Sequence, residues 1–287
     1  MLLYDALKVA KREAYDPPYT KEDISLTLGN TQRIGEGVVV DDFLVRGHDA
    51  GHIPGSTMYT IEGDTITLFT GDLNDRDTRL LRGTKPIKCN LLLIESTYAG
   101  RDHPPRAEVE KKFLDQVDEV VEKKGLAVIP AFAVGRAQEL LLLLHDRGYQ
   151  TYMDGMGIRA TRIISSFDDY IRDASKLKKA FEGVKKVRNL GDRKKALKGE
   201  VVLTTSGMLD GGPVLWYLDK IKNDNNSGVF LTGYQVEGTK GRILMEEGTI
   251  DLNGVISSLK CKYDFFDFSA HADHSGLVKF IKGCDPE

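Results

Sequence analysis

The chain is poor in the features that staple, anchor or polarise a protein. It has three cysteines, Cys89, Cys261 and Cys284, odd in number, far apart and in no C-x-x-C pairing. That excludes a disulfide framework and a cysteine zinc site, and all three are expected as reduced thiols. No apolar run approaches the roughly 18 residues of a membrane span; "ELLLLLH" (139–145) is short and bounded by charge. No secretory signal opens the sequence, so the expected compartment is the cytosol and no membrane partner is expected. Strong charge of one sign is also missing. A formal net charge of −3 gives no overall electrostatic case for a nucleic-acid partner.

What is present is enough for a folded protein. At 287 residues and 41% hydrophobic content the chain can build one large or two ordinary domains. The 29% charged content is somewhat above average, a hint of ion-pair networks. One local excess stands out between Lys176 and Lys198, where "KLKKAFEGVKKVRNLGDRKKALK" sets ten Lys or Arg against Glu182 and Asp192. Such runs are usually solvated helical faces; the other reading is a phosphate-facing patch.

The opening "LLYDALKVAKREA" has apolar residues at helical spacing, and Thr20 with Asp23 three residues on predicts the capped start of a second helix. From Gly35 to about residue 97 the texture is β-rich, read as consecutive strands with a hairpin at Glu62-Gly63-Asp64. From about residue 106, apolar strands alternate with helices: 106–124, 135–147, helices through about 182, 212–222 and 236–247. That alternation predicts crossover units and a parallel sheet with helices on both faces. Beyond "GVISSLKCKYDFFDF" one strand and one last helix are expected, with a boundary near residue 100 and neither repeats nor a low-complexity linker.

Three segments share a strand, a glycine turn and a helix: "VIPAFAVGRAQELL", "VLTTSGMLDGGPVL" and "FLTGYQVEGTKGRIL". Ligands of open parallel sheets sit at the carboxyl ends of strands, where helix N-termini present free N–H groups. Gly135, Gly207 and Gly233 would let backbone approach a ligand, while Arg136, Arg242 and the Ser206 hydroxyl could donate to phosphate oxygens. None fits the dinucleotide or P-loop pattern. Glycines at such turns are often merely structural; three together favour a phosphate-rich ligand.

The candidates for metal and acid–base chemistry are few, because the chain has six histidines. In "RGHDAGHIPGST" (46–57) His48 and His52 lie four apart, and Pro54-Gly55 bars a helix after His52. Asp72 ends a strand in "LFTGDLN", an Asp-after-Gly placement that is as typical of turn formers as of ligands. Glu95, in "LLLIESTYAG", follows a run expected to be buried, where a carboxylate needs a partner or a task. In "FSAHADHSG" (268–276), His271-Ala-Asp273-His274 looks like half of an H-x-H-x-D-H zinc signature, with Ser269 where its first histidine should stand. There a single histidine reads better as a proton donor or phosphate contact than as a ligand cluster, with Ser269 or Asp273 available to cap the helix.

Taken in order, "DAGHIPGS", "FTGDLN", "LLIESTY", "PAFAVGRAQELL", "TSGMLDGGP", "GYQVEGTKGR" and "FSAHADHSG" resemble the β-CASP branch of metallo-β-lactamase-fold ribonucleases, over nearly the whole chain. The nearest likeness is to archaeal relatives of the endonuclease subunit of the cleavage and polyadenylation specificity factor. The resemblance implies an α/β protein, a partial metallo-β-lactamase αββα sandwich (1–99 and 268–287) with an inserted β-CASP domain (100–267). It implies RNA as partner, two zinc ions in the complete family site, and in some relatives a homodimer. By motif, His52 matches a zinc-ligand histidine, Asp72 the metal-bridging aspartate, Glu95 the first acidic motif and His271 the histidine taken to protonate the leaving group. Arg136, the Ser206-Gly207 turn and Ser269 fall where RNA is contacted, and His48 matches no ligand. The implied mechanism is two-metal phosphodiester hydrolysis.

The departures from the family pattern are as informative. The main motif H-x-H-x-D-H should precede the first helix, yet residues 1–35 hold no histidine, and the final histidine beyond "KFIKG" is also missing. With His52 and Asp72 as the remaining ligands, the chain is expected to bind zinc weakly and cleave poorly, as a truncated form of an active nuclease. The alternative is a non-catalytic homologous subunit that binds RNA or protein, which would tolerate decay at Asp72, Glu95 and His271. A small-molecule hydrolase is disfavoured by the insertion.

Overall fold

The computed structural model describes residues 2–12, 15–31, 37–252 and 254–287. Two short helices come first, α1 (Leu2–Arg12) and α2 (Lys21–Gly29). The start of α2 is a capping box: the Asp23 amide donates to Thr20 Oγ1 at 3.2 Å and the Thr20 amide to Asp23 Oδ2 at 2.7 Å.

A five-stranded sheet follows, in the order β1 (Val38–Val40), β2 (Phe43–Asp49), β3 (Thr57–Glu62), β4 (Ile66–Phe69) and β5 (Leu91–Leu93). The first four are antiparallel, and β5 runs parallel to β4. The expected hairpin joins β3 to β4. Residues 70–90 form no strand, against the continuous β reading: this stretch is rich in Asp, Asn, Gly and Pro, and its backbone is satisfied by loop bonds such as Thr78 N to Leu81 O (2.8 Å) and Thr84 N to Asn74 O (2.8 Å). The sheet has one covered face. Met58, Thr60 and Leu68 point inward, while Tyr59, Phe69, Leu91 and Leu93 are exposed. The run before Glu95 is therefore not buried as expected, because β5 is an edge strand with one open face.

The chain then alternates as predicted, with β8 and α7 added where no element was expected: α3 (Arg106–Glu122), β6 (Ala127–Pro130), α4 (Arg136–Arg147), β7 (Thr151–Asp154), α5 (Gly157–Ile164), α6 (Ala174–Gly183), β8 (Lys185–Lys186), α7 (Leu190–Ala196), β9 (Val201–Thr204), α8 (Pro213–Ile221), β10 (Gly228–Leu231) and α9 (Lys240–Glu247). Helix α9 starts four residues later than expected, since Gly238 has φ +81° and Thr239 is the N-cap. Where one strand was expected there are three. β11 (Thr249–Leu252) and β12 (Val255–Ser258) pair as an antiparallel hairpin, and β13 (Lys262–Phe265) joins the main sheet. The apolar run reads as one strand, but Lys260 N turns aside to Lys222 O at 2.7 Å and divides it. Last comes α10 (His274–Cys284).

The six-stranded sheet has the order β13-β10-β6-β9-β7-β8, with every paired neighbour parallel. Alternate residues feed two cores. Ala127, Ile129, Val201, Leu203 and Phe230 pack with α3, α4 and α6, whereas Val128, Val202, Val229 and Leu231 pack with α8 and α9. A third core lies under the smaller sheet, where Leu277, Phe280 and Cys284 of α10 meet Met58, Leu68, Leu73 and Cys89. Half of the basic run is engaged locally: Lys176 with Asp146, Lys178 with Asp168, Arg193 with Asp154, Lys195 with Asp192, and Lys186 on the Phe181 carbonyl. That favours the solvated-face reading over a phosphate patch. Among the described residues no helix is long and apolar enough to cross a membrane.

Candidate metal centre

Each of the four chemically interesting side chains sits in a loop directly beyond a strand. His52 follows β2, Asp72 follows β4, Glu95 follows β5 and His271 follows β13. Ligand atoms of His52, Asp72 and His271 lie within 4.8 Å of one another. His52 Nε2 is 3.8 Å from Asp72 Oδ2, and the two imidazole rings are 4.4 Å apart at 55°.

The hydrogen bonds assign each imidazole a working nitrogen. His52 Nδ1 lies 2.9 Å from the Ala270 carbonyl, an acceptor only, so Nδ1 carries the proton and Nε2 keeps its lone pair toward Asp72. Burial pulls the His52 pKa down, opposed by the Ala270 bond and assisted by the neighbouring His271, which favours the neutral imidazole a metal requires. His271 Nδ1 instead meets Glu95, at 2.9 and 3.1 Å from its two oxygens. Glu95 Oε1 also accepts from the Leu73 amide at 2.6 Å, and its side chain is 5% exposed. Burial raises its pKa, but the bonds from His271, Leu73 and Thr97 outweigh it and hold the carboxyl below the ordinary value. Glu95 thus orients His271 through Nδ1 and leaves its Nε2 free of this contact. His48 is a bystander to this cluster: its Nε2 lies 3.1 Å from Thr60 Oγ1 within the sheet.

Arg136 opens α4 at the carboxyl end of β6. The helix can start there because Gly135 takes φ +79°, and a Cβ at Gly135 would stand 2.8 Å from Ile53 Cγ2. Arg76, Arg79 and Arg106 around the site are ion-paired, to Asp273, Glu110 and Glu139 among others. The Arg136 side chain is buried with no ion pair or hydrogen bond among the described residues, and its Nε is fully enclosed without a partner. Burial, assisted by the charge of Arg106, pushes it down to about 10, so it remains a cation at neutral pH. Glu139 and Asp267 offset part of this through space without a direct contact, and a buried guanidinium lacking hydrogen-bonded partners is costly. Arg242, by contrast, is turned to Glu246 at 2.6 Å. Ser206 is half-buried after β9. Gly207 is buried, and its carbonyl accepts from Gln235 Nε2 at 3.0 Å. Ser269 Oγ accepts from the His271 amide at 3.1 Å, and Asp273 rather than Ser269 caps α10, accepting from Gly276 N at 2.9 Å.

Two family models match the chain. The Beta-Casp domain covers residues 137–244, and the Zn-dependent metallo-hydrolase RNA specificity domain covers residues 258–287. The Probable RNase MJ4 of Methanocaldococcus jannaschii is 36% identical over 303 residues, which take in all of this chain and 71% of that protein. The chain belongs to the β-CASP ribonuclease family. RNase aCSPSF2 of Saccharolobus solfataricus is 36% identical over 98% of the chain and 58% of its own length, and the cleavage and polyadenylation specificity factor subunit 3 of Dictyostelium discoideum is 31% identical over the whole chain and 40% of its own. The chain thus spans 40 to 71% of the length of these relatives. In this β-CASP protein the Beta-Casp match runs from α4 to α9, inside a metallo-β-lactamase-type frame whose loops carry His52, Asp72, Glu95 and His271.

The β-CASP site also contains residues that motif spacing did not single out. His103 Nδ1 pairs with Asp267 Oδ2 at 2.8 Å, both side chains under 10% exposed, and its ring lies 4.3 Å from that of Tyr98. Glu139 accepts from Arg79 N (3.1 Å), Leu80 N (2.8 Å) and Arg106 Nη2 (2.9 Å), joining α4 to the loop beyond β4. The available signals were a scarce histidine before Pro104-Pro105 and a lone acid in "FFDF".

Proposed function

We propose that this chain serves metal-dependent hydrolysis of RNA phosphodiester bonds, of the RNA-processing or RNA-decay type. One observation carries the reading: His52, Asp72 and His271 converge, with Glu95 behind His271, beside a buried arginine whose side chain has no hydrogen bond or ion pair among the described residues. A phosphodiester supplies the missing partner. In this reading residues 1–99 and 268–287 form the metallo-β-lactamase part and 100–267 the β-CASP part.

The donor types fit zinc, an imidazole with a free Nε2 and a carboxylate 56% exposed, and they supply two of the three protein ligands a catalytic zinc takes. His52 and Asp72 would hold the metal, which supplies Lewis-acid polarisation of a phosphoryl oxygen. Arg136 binds and orients a phosphate oxygen. The Ser206 and Ser269 hydroxyls flank the same strand, and Gly207 contributes by having no side chain. His271, oriented by its Nδ1 contact with Glu95, delivers a proton from Nε2 to the departing oxygen.

The roles separate experimentally in zinc binding and RNA cleavage measured on the same preparations. His52→Ala should lose zinc, whereas His271→Ala should keep zinc within a few-fold and lose cleavage by roughly 10²–10⁴-fold. Equal zinc loss in both variants would overturn the division of roles. Zinc-loaded protein that binds RNA and leaves it uncut would favour an RNA-binding subunit instead.

A further inference from the structure

Beside the metal cluster lies a cavity of about 310 Å³ that the chemistry above leaves half used. Its lining joins the basic Arg136 and His271 to the apolar surfaces of Phe132, Tyr234, Val134 and Ile53. Phe132 and Tyr234 are 38% and 50% exposed, large aromatic surfaces left open at the carboxyl ends of β6 and β10. Resting on the phosphate reading of Arg136, we propose that Phe132 and Tyr234 form the seat for an unpaired nucleobase adjoining the phosphate held there.

The Phe132 ring is bedded on two of the glycine turns. A Cβ on Gly233 would stand 2.7 Å from Phe132 Cε2, and one on Gly207 would stand 3.1 Å from the Phe132 amide and 3.5 Å from its Cδ1. Gln235 ties these turns together, donating through Nε2 to the carbonyls of Gly207 (3.0 Å) and Gly233 (2.7 Å). The glycines therefore serve a close approach, as their spacing implied, but what approaches is a ring of the protein itself. Tyr234 meets Tyr98 edge to face, with centroids 6.3 Å apart at 82°. Both rings are positioned before any ligand arrives, so little freedom is lost when one stacks on them.

The chemistry of the occupant follows from this mixed lining. A cationic group joined to aromatic surface fits a phosphate next to a flat, apolar-faced base, the repeating unit of a single strand. A base inside a duplex is stacked on its neighbours and cannot enter, so this seat selects unpaired strands. Every base has a π face, so the seat selects for strandedness with little regard for sequence.

The test is binding of a fluorescein-labelled single-stranded oligoadenylate, compared with the same sugar–phosphate chain lacking its bases, followed by anisotropy. Phe132→Leu and Tyr234→Leu keep apolar bulk and remove the ring. Each should weaken binding of the intact strand by roughly tenfold, in line with the 1–3 kcal/mol that base–aromatic stacking contributes, and leave the abasic strand unchanged, which also reports that the variant is folded. Arg136→Gln should weaken both strands alike. If Phe132→Leu and Tyr234→Leu bind the intact strand like the parent, or weaken intact and abasic strands equally, the base seat is overturned while the phosphate reading of Arg136 stands. If Arg136→Gln changes nothing while the ring variants still discriminate, the phosphate reading fails and the seat survives. Parent protein that binds neither strand overturns both.

Discussion

The two sheets of the molecule solve the same burial problem differently. The six-stranded parallel sheet is covered on both faces, and its strands β6, β9 and β10 are buried at every position. Among the described residues the five-stranded sheet is covered on one face, by α10 and the loop beyond β4, and leaves Tyr59, Phe69, Leu91 and Leu93 exposed. The difference teaches where the energy and where the chemistry reside. The parallel sheet is a rigid platform that positions Arg136, Phe132 and Tyr234. The smaller sheet contributes the polar loop residues His52, Asp72 and Glu95 and little apolar burial.

The contrast can be broken most directly at its cores. Phe113 is fully buried among Phe230, Phe266 and Phe268, at ring distances of 6.4, 5.3 and 5.2 Å. Phe113→Ala should cost about 3–5 kcal/mol in urea unfolding, whereas Tyr59→Ser on the open face should stay within about 0.5 kcal/mol. Equal losses would show that the open face is as much a part of the folded core as the covered one.

A smaller effect is expected where the two sheets are joined. Glu139→Ala strips two backbone amides and Arg106 of their buried acceptor, and about 3 kcal/mol of stability should go with it. Native-state hydrogen exchange at Arg79 and Leu80 should rise more than at β6. Uniform loosening would argue against a local clamp.

The gentlest probe is pH. Burial raises the Asp267 pKa, but the His103 hydrogen bond and charge, the Ser269 amide and Arg101 lower it further, so the carboxyl sits below its ordinary value. A depressed carboxyl stabilises the fold fully above the unfolded value of about 3.9 and loses that contribution as pH falls through the folded value. Asp267→Asn should therefore be less stable than the parent at neutral pH, and the gap should close below about pH 4. A gap independent of pH would show that Asp267 ionisation contributes nothing.

The parallel sheet was legible because its signals are local: apolar runs of strand length, glycine turns and helical periodicity recur in order. The hairpin of β11 and β12 was not, since β12 and β13 read as one apolar run and only the bond from Lys260 to the Lys222 carbonyl divides them. His52, Asp72, Glu95 and His271 were legible as separate residues from motif order. The family resemblance also implied that they share one site; what was not legible is the backbone contact that fixes His52, because it joins positions more than two hundred residues apart, His52 and Ala270. Phe132 looked like part of a buried strand end, and nothing local marks it as exposed and bedded on glycines.

Arg136 and Glu139 stand one turn apart on α4, one facing the cavity and the other fastened to the loop that leaves β4. A single helical turn therefore builds both the cavity wall and the tie to residues 79 and 80, so a change at either residue is felt at the other.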